Sequence, residues 1–252
     1  MDRAVNRRTH PDGVPWARPT DDPWLGSRRV VQVRPHVWRW LAPMVTGAPV
    51  LEIGPGLRPS VPPETSHFVD RSQHALSLLA ARGGQVALAT DRLPLPDAHF
   101  AAVVAFEVLE HIEGDDHLLR EIVRVLRTGG RLVMSVPIRE SMWTTLDDAC
   151  GHVRRYEPEA LFTKLTGLGL QVGGYHWHHA ARPVSYRIRA RILMTRRRAT
   201  TAIAQALAFP LLSAYQARSA AISWTSPTVP VPAEAEHLTL WAELLPGTPA
   251  EE

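Results

Sequence analysis

Acidic residues recur in this chain at the ends of short apolar runs, where a side chain can reach a ligand at the edge of a sheet. Glu52 precedes Ile53-Gly54-Pro55-Gly56, Asp70 closes His67-Phe68-Val69, Thr90-Asp91 follows Gln85 to Ala89, and Glu107 with His111 follows Ala101 to Phe106. The glycines after the first run let the backbone turn sharply and approach a ligand without a Cβ in the way. A carboxylate at the second position can take two ribose hydroxyls in paired hydrogen bonds. One at the third can accept a hydrogen bond from an exocyclic adenine amine. Together these residues describe a cradle for a nucleoside. A dinucleotide turn of the form G-x-G-x-x-G would need glycine where Pro59 stands, and Lys164 is remote from any glycine-rich phosphate loop.

The elements that position these residues alternate. Apolar runs read as strands over about 49–53, 67–70, 85–89, 101–106 and 131–136. Between them, helices are expected over about 27–41 with Ser27 as N-cap, over 72–82 stopping at Gly83-Gly84, and over 115–127 stopping at Gly129-Gly130. Pro59, Pro62 and Pro63 make a regular helix after the first strand unfavourable. A long loop over 138–156 leads to a helix that starts at Pro158 and ends near Gly167. Leu170 to Trp177 and Leu238 to Leu244 form a closing antiparallel pair, with an arginine-rich helical insertion over 183–222 between them. Strands alternating with helices give an α/β, doubly wound, mostly parallel sheet of seven strands, with ligands at the carboxyl ends. Residues 1–27, with Pro11, Pro15, Pro19 and Pro23, read as a tail or flap, leaving 28–252 as one domain.

Composition narrows the classes. The 252 residues are 45% hydrophobic and 21% charged, as in ordinary globular proteins. The single cysteine, Cys150, excludes an intrachain disulfide and suits a reducing, cytoplasmic setting. No signal peptide is recognisable, and the longest apolar stretch, Ile203 to Ala214, falls short of the roughly 20 residues that span a bilayer. The net charge is +3, and Lys164 is the only lysine among 28 basic side chains. The arginines cluster only at Arg182, Arg187, Arg189, Arg191 and Arg196 to Arg198, without a recognisable nucleic-acid module or base-stacking aromatics.

Five motifs in order carry a resemblance. They are Val50-Leu-Glu-Ile-Gly-Pro-Gly56, Phe68-Val-Asp70, Asp91-Arg-Leu-Pro-Leu-Pro-Asp97 with His99-Phe100, Val108-Leu-Glu-His111, and Arg124-Val-Leu-Arg-Thr-Gly-Gly-Arg-Leu132. Over about 50–172 the chain resembles the class I S-adenosylmethionine-dependent methyltransferases, in the small-molecule branch often called type 11. Gly151-His152-Val-Arg-Arg-Tyr156 also looks like a loop found in part of that family. The resemblance implies a Rossmann-like methyltransferase fold with a helical insertion before the last strand. It implies S-adenosylmethionine as cofactor and its homocysteine counterpart as product. Glu52, Gly54, Pro55 and Gly56 would surround the methionine part, Asp70 and Arg71 the ribose, and Thr90, Asp91 and Arg92 the adenine edge, with Phe106 and Glu107 walling the site. The family often has a third glycine and a regular helix after the first strand. This chain has Arg58 and prolines there, so backbone amides or Arg58 would meet the cofactor carboxylate.

Methyl transfer from a sulfonium is an in-line displacement whose leaving thioether needs no acid, and positioning can contribute roughly 7–11 kcal/mol. A base adds about 10²–10⁴-fold where the acceptor must lose a proton. His111 and His152 are the candidate bases, with Tyr156 orienting the acceptor. Read blandly, His111 caps a loop, and His152 to Tyr156 form a hinge. Glu110 and Glu113 are expected to face solvent. His176 and His178 share a strand face, but no third ligand accompanies them and no metal is assigned. Met142, Trp143 and Leu146, the insertion and Trp24 would build an acceptor pocket for an organic small molecule, methylated on O, N or C in secondary or specialised metabolism. The competing readings are a cofactor-binding enzyme of other chemistry, a nucleic-acid modifier, and a lipid-linked acceptor met through membrane contact by 183–222. A lid or dimer contact is the preferred role of that insertion, in a monomer or homodimer.

Overall fold

A computed structural model describes residues 34–45, 49–178 and 222–247. The seven strands are β1 (Val50–Ile53), β2 (Ser66–Asp70), β3 (Gln85–Leu88), β4 (Phe100–Phe106), β5 (Leu126–Pro137), β6 (Leu170–His178) and β7 (His237–Leu244). They form one sheet in the order β3-β2-β1-β4-β5-β7-β6. β1 to β5 pair in parallel, and β7 runs antiparallel to both β5 and β6. The doubly wound, mostly parallel sheet read from the alternation is therefore the observed one. The tail over 1–27, Ser27 and the insertion up to residue 221 lie outside the described residues.

Side-chain alternation divides the core between the two faces of the sheet. Leu51, Ile53, Val103, Ala105, Leu132 and Met134 face α3 (Asp115–Val125) and α5 (Pro158–Gly167). Val50, Phe68, Ala102, Val104, Phe106 and Val133 face α1 (Pro35–Leu41) and α2 (Gln73–Ala80). Every residue of β4, the strand between β1 and β5, is buried, as expected of a parallel strand covered on both sides. The order of strands reverses between β1 and β4, so the crevice for a ligand opens above their carboxyl ends.

Local chemistry sets the helix ends. The Ser72 hydroxyl accepts from the Ala75 amide at 2.9 Å and starts α2. Helix α3 stops at Val125, short of the glycine pair expected to end it, because Leu126 is drawn into the core opposite Phe100. The register then slips before Ala102 meets Arg131, and Gly129, at φ +72°, lies in the intervening bulge. The expected loop over 138–156 contains a helix, α4 (Thr145–Cys150). Thr144 and Asp147 cap it reciprocally, and Gly151 ends it at φ +78°.

The antiparallel pair is fitted around one tryptophan. A Cβ on Gly173 would fall inside the Trp241 ring, while Arg131 covers that indole with its guanidinium carbon 5.2 Å from the ring centroid. Gly173→Ala is expected to lower the urea midpoint by the equivalent of about 1–3 kcal/mol, the usual cost of overpacking. Most of that penalty should vanish in a Trp241→Leu background, measured as a double-mutant cycle.

Candidate active site

Two left-handed glycines bend the chain out of β1, Gly54 at φ +64° and Gly56 at φ +53°. Gly54 closes on its neighbour as well: a Cβ there would sit 2.8 Å from Val108 Cγ2. Its amide donates to the Val69 carbonyl at 2.8 Å, which ties the turn to β2. At the end of β2 the buried Asp70 carboxylate accepts from the Gly56 amide at 2.9 Å and the Ser72 amide at 2.8 Å. Turn, carboxylate and α2 cap are thus one hydrogen-bonded unit, with Pro55 buried within it and Arg71 exposed beside it.

Glu52 is 1% exposed and points to the α1 face. Its oxygens accept from the Ser60 amide at 2.8 and 3.0 Å and from the Val61 amide at 3.2 Å. The carboxylate thereby organises the proline-rich segment that stands where a helix is usual. Burial raises its pKa, against the opposing pull of Arg34 and the loop amides. Arg34, which the sequence reading did not single out, lies with its guanidinium 3.8 Å from Glu52 and 5.7 Å over the Phe106 ring. Its Nε is buried without a hydrogen-bond partner.

Thr90, Asp91 and Arg92 are exposed at the end of β3. The loop that follows them is pinned from α3. Arg124 donates to the carbonyls of Leu93 and Leu95 at 2.9 Å each and to the Asp97 carboxylate, while Glu121 accepts from the Leu93 amide at 2.7 Å. The Arg124 motif therefore supports the loop after β3 from α3.

Phe106 is buried and Glu107, at φ +55°, bends away from β4. The Glu107 carboxylate accepts from the Ser135 hydroxyl at 2.8 Å and lies 3.4 Å from His237 Nδ1. Burial alone would raise its pKa, but His237 and Ser135 hold it down to about 2. The same pairing outweighs burial at His237 and raises the imidazole pKa. His178 stacks on His237 with centroids 5.1 Å apart.

The turn Leu109–His111 and the end of α4 meet beside Glu107. The rings of His111 and His152 are 4.8 Å apart, edge to face. His152 Nδ1 is 2.9 Å from Asp147 Oδ1, and Asp147 is clamped by Arg155 through two contacts of 2.9 Å. Burial and the neighbouring His152 lower the His111 pKa to about 4, and burial lowers that of His152 despite Asp147. Both imidazoles are therefore neutral near pH 7. Two expectations need correction here. Glu110 does not face solvent: it is fully buried, whereas Glu113 is exposed as expected. Tyr156 does not orient an acceptor, because its buried hydroxyl donates to Asp115 at 2.9 Å, where Lys164 and Arg154 also converge. His176 bonds to the Ser223 carbonyl at 3.3 Å, and the His176–His178 pair gathers no third ligand among the described residues.

Comparison with known proteins identifies the architecture. Residues 57–134 match the family model described as a methyltransferase domain. A probable S-adenosylmethionine-dependent methyltransferase of Mycobacterium tuberculosis is 36% identical over 125 residues, 46% of this chain and 43% of that protein. Over these stretches the chain is similar to S-adenosylmethionine-dependent methyltransferases. The matched stretch spans less than half the length of that relative. Among solved structures, a possible histamine N-methyltransferase of Thermotoga maritima superposes with a TM-score of 0.54 at 15% identity, covering 83% of this chain and 88% of that one. A geranyl diphosphate methyltransferase in complex with GPP and sinefungin gives 0.55 at 12% identity, covering 84% and 76%. These two likenesses concern the fold of the methyltransferase domain. No helix among the described residues is long and apolar enough to cross a membrane.

Arg124→Ala tests the pinned loop. Losing hydrogen bonds to a charged group typically costs about 1.5–3 kcal/mol. Amide exchange at Leu93 should accelerate at least roughly tenfold while the amides of β4 keep their protection.

Proposed function

We propose that this chain uses S-adenosylmethionine to methylate an O, N or C atom of an organic small molecule. The observation that carries the reading is the unit built from Gly54, Gly56 and Asp70, where a buried carboxylate and a Cβ-free turn share one point on the rim. That chemistry fits the cofactor, which supplies an electrophilic methyl group on sulfur. Asp70 would take the ribose hydroxyls, since each carboxylate oxygen can accept more than one hydrogen bond. Gly54 and Gly56 would let the backbone lie against the methionine part, and Asp91 with Thr90 and Arg92 would border the adenine.

Arg34 supplies what the missing helix end would otherwise offer. A guanidinium beside the first glycine turn is the natural partner for an amino-acid carboxylate. On the acceptor side, Trp143 and Met142 lie half-buried next to α4, and suit an organic molecule rather than a phosphate backbone. His111 or His152, neutral near pH 7, would accept the acceptor's proton through an imidazole nitrogen, while the apolar surroundings exclude water. The lone thiol, Cys150, suits a cytoplasmic setting.

Isothermal titration with S-adenosylmethionine and its homocysteine counterpart tests the assignment. Asp70→Ala should weaken both at least about tenfold, in line with the worth of charge-assisted hydrogen bonds. Asp70→Asn, which keeps the size, separates lost binding from lost folding. Unchanged affinity in both variants would remove Asp70 from the site.

A further inference from the structure

Glu110 has no structural reason to be where it is. It is 0% exposed, both carboxylate oxygens are sealed from solvent, and neither has a hydrogen-bond partner. Burial and the neighbouring Glu107 push its pKa well above the usual carboxylate range. An unpaired buried carboxylate costs several kcal/mol unless something compensates it. What faces it is the Glu107 carboxylate and a pair of imidazole nitrogens. His111 Nε2 lies 3.9 Å from Glu110 Oε1, and His152 Nε2 lies 4.0 Å from the same oxygen. All three ligand atoms fall within 4.8 Å of one another.

We propose that Glu110, His111 and His152 bind a divalent first-row transition cation such as Mn²⁺, Fe²⁺, Co²⁺ or Zn²⁺. Two of the three separations are near 4 Å and the third is within 4.8 Å, so a point equidistant from the three atoms lies roughly 2.3–2.5 Å from each, and a contraction of a few tenths of an ångström reaches ordinary metal–ligand distances of about 2.0–2.2 Å. Two imidazoles and one carboxylate on one side of an ion leave its other positions open. The supporting contacts are also in place. Asp147 accepts the Nδ1 proton of His152 at 2.9 Å, which turns the Nε2 lone pair toward Glu110, and Arg155 with Thr144 keeps Asp147 charged and oriented. A cation here would displace the proton that burial keeps on Glu110 and take a lone pair from each imidazole, with Asp147 orienting one of them.

The site lies at the carboxyl edge of β4, three residues beyond Glu107, where an acceptor would approach. Its use in the reaction rests on the methyl-transfer reading: with the ion bound both imidazole Nε2 atoms are ligands, so the ion, by holding an acceptor oxygen and lowering its proton affinity, takes the place of the histidine base named above. The cation site itself does not.

The test uses the full chain, stripped with a chelator, dialysed into metal-free buffer and titrated with Co²⁺ or Mn²⁺. One ion per chain is expected, with visible Co²⁺ ligand-field bands and nitrogen hyperfine coupling on Mn²⁺ from two imidazoles. Asp147→Asn should lower affinity about 10–100-fold through the outer contact alone. His152→Ala and Glu110→Gln should lower it further, and circular dichroism reports whether each variant folds. Asp70→Asn should keep its Co²⁺ affinity while losing S-adenosylmethionine, which separates this site from the cofactor assignment. Absence of Co²⁺ uptake by the wild type, or equal uptake and spectra in a His111→Ala/His152→Ala double variant, would overturn the proposal.

Discussion

A backbone that cannot satisfy itself shapes the rim beyond β1 in this protein. Between β1 and β2 the prolines at 59, 62 and 63 remove donors and forbid a regular helix, so the remaining amides need an acceptor. Glu52 provides it, from inside the sheet, by holding Ser60 and Val61. The buried carboxylate in turn draws Arg34 across the strand and against Phe106. One acid therefore sets the shape of a loop, the seat of an amino-terminal helix and the charge above a glycine turn. A helix dipole would have done some of this by itself; here discrete side chains do it.

The rest of the rim follows the same division of labour. Side chains that sequence alone presents as ligands are often held by backbone groups instead, and the side chains that hold the loops come from elsewhere. Arg124 and Glu121 on α3 fix the segment after β3. Asp115 gathers Tyr156, Lys164 and Arg154 beneath the loop that carries His152. Such supports keep a rim rigid without touching what binds there, and rigidity is what a displacement reaction asks of its surroundings.

The sheet was legible because its strands are apolar, short and separated by glycine and serine punctuation. Val50 to Ile53 and Ala101 to Phe106 could hardly be anything but buried parallel strands, and Ser72 announces its helix by standing directly before it. α4 was missed because a six-residue helix shows less than two turns of periodicity, although Thr144 and Asp147 have capping-box spacing. Leu126 was assigned to a helix because local propensity knows nothing of Phe100 opposite it. Glu110 was misjudged, and Arg34 passed over, for one shared reason. Charge predicts exposure on average, and only the assembled fold shows which charges are enclosed. That Gly54, Gly56 and Asp70 share one place on the rim was readable because their neighbours are close in sequence or joined by a simple strand crossing.

β7 lies between β5 and β6, and its first residue pairs with the last residue of β6: His237 stands opposite His178. Thr225 is likewise bridged to Tyr175, so the chain returning to β7 is already anchored before it re-enters the sheet. The stretch from the end of β6 to that bridge leaves and rejoins a rigid frame at neighbouring points. For a chain closed this way, each doubling of length costs only about 0.6 kcal/mol in closure entropy. Both attachment points are held by the sheet itself, so the closure cost depends little on the length of chain between them. A change of length between those points would leave the pairing of β5, β6 and β7 in place.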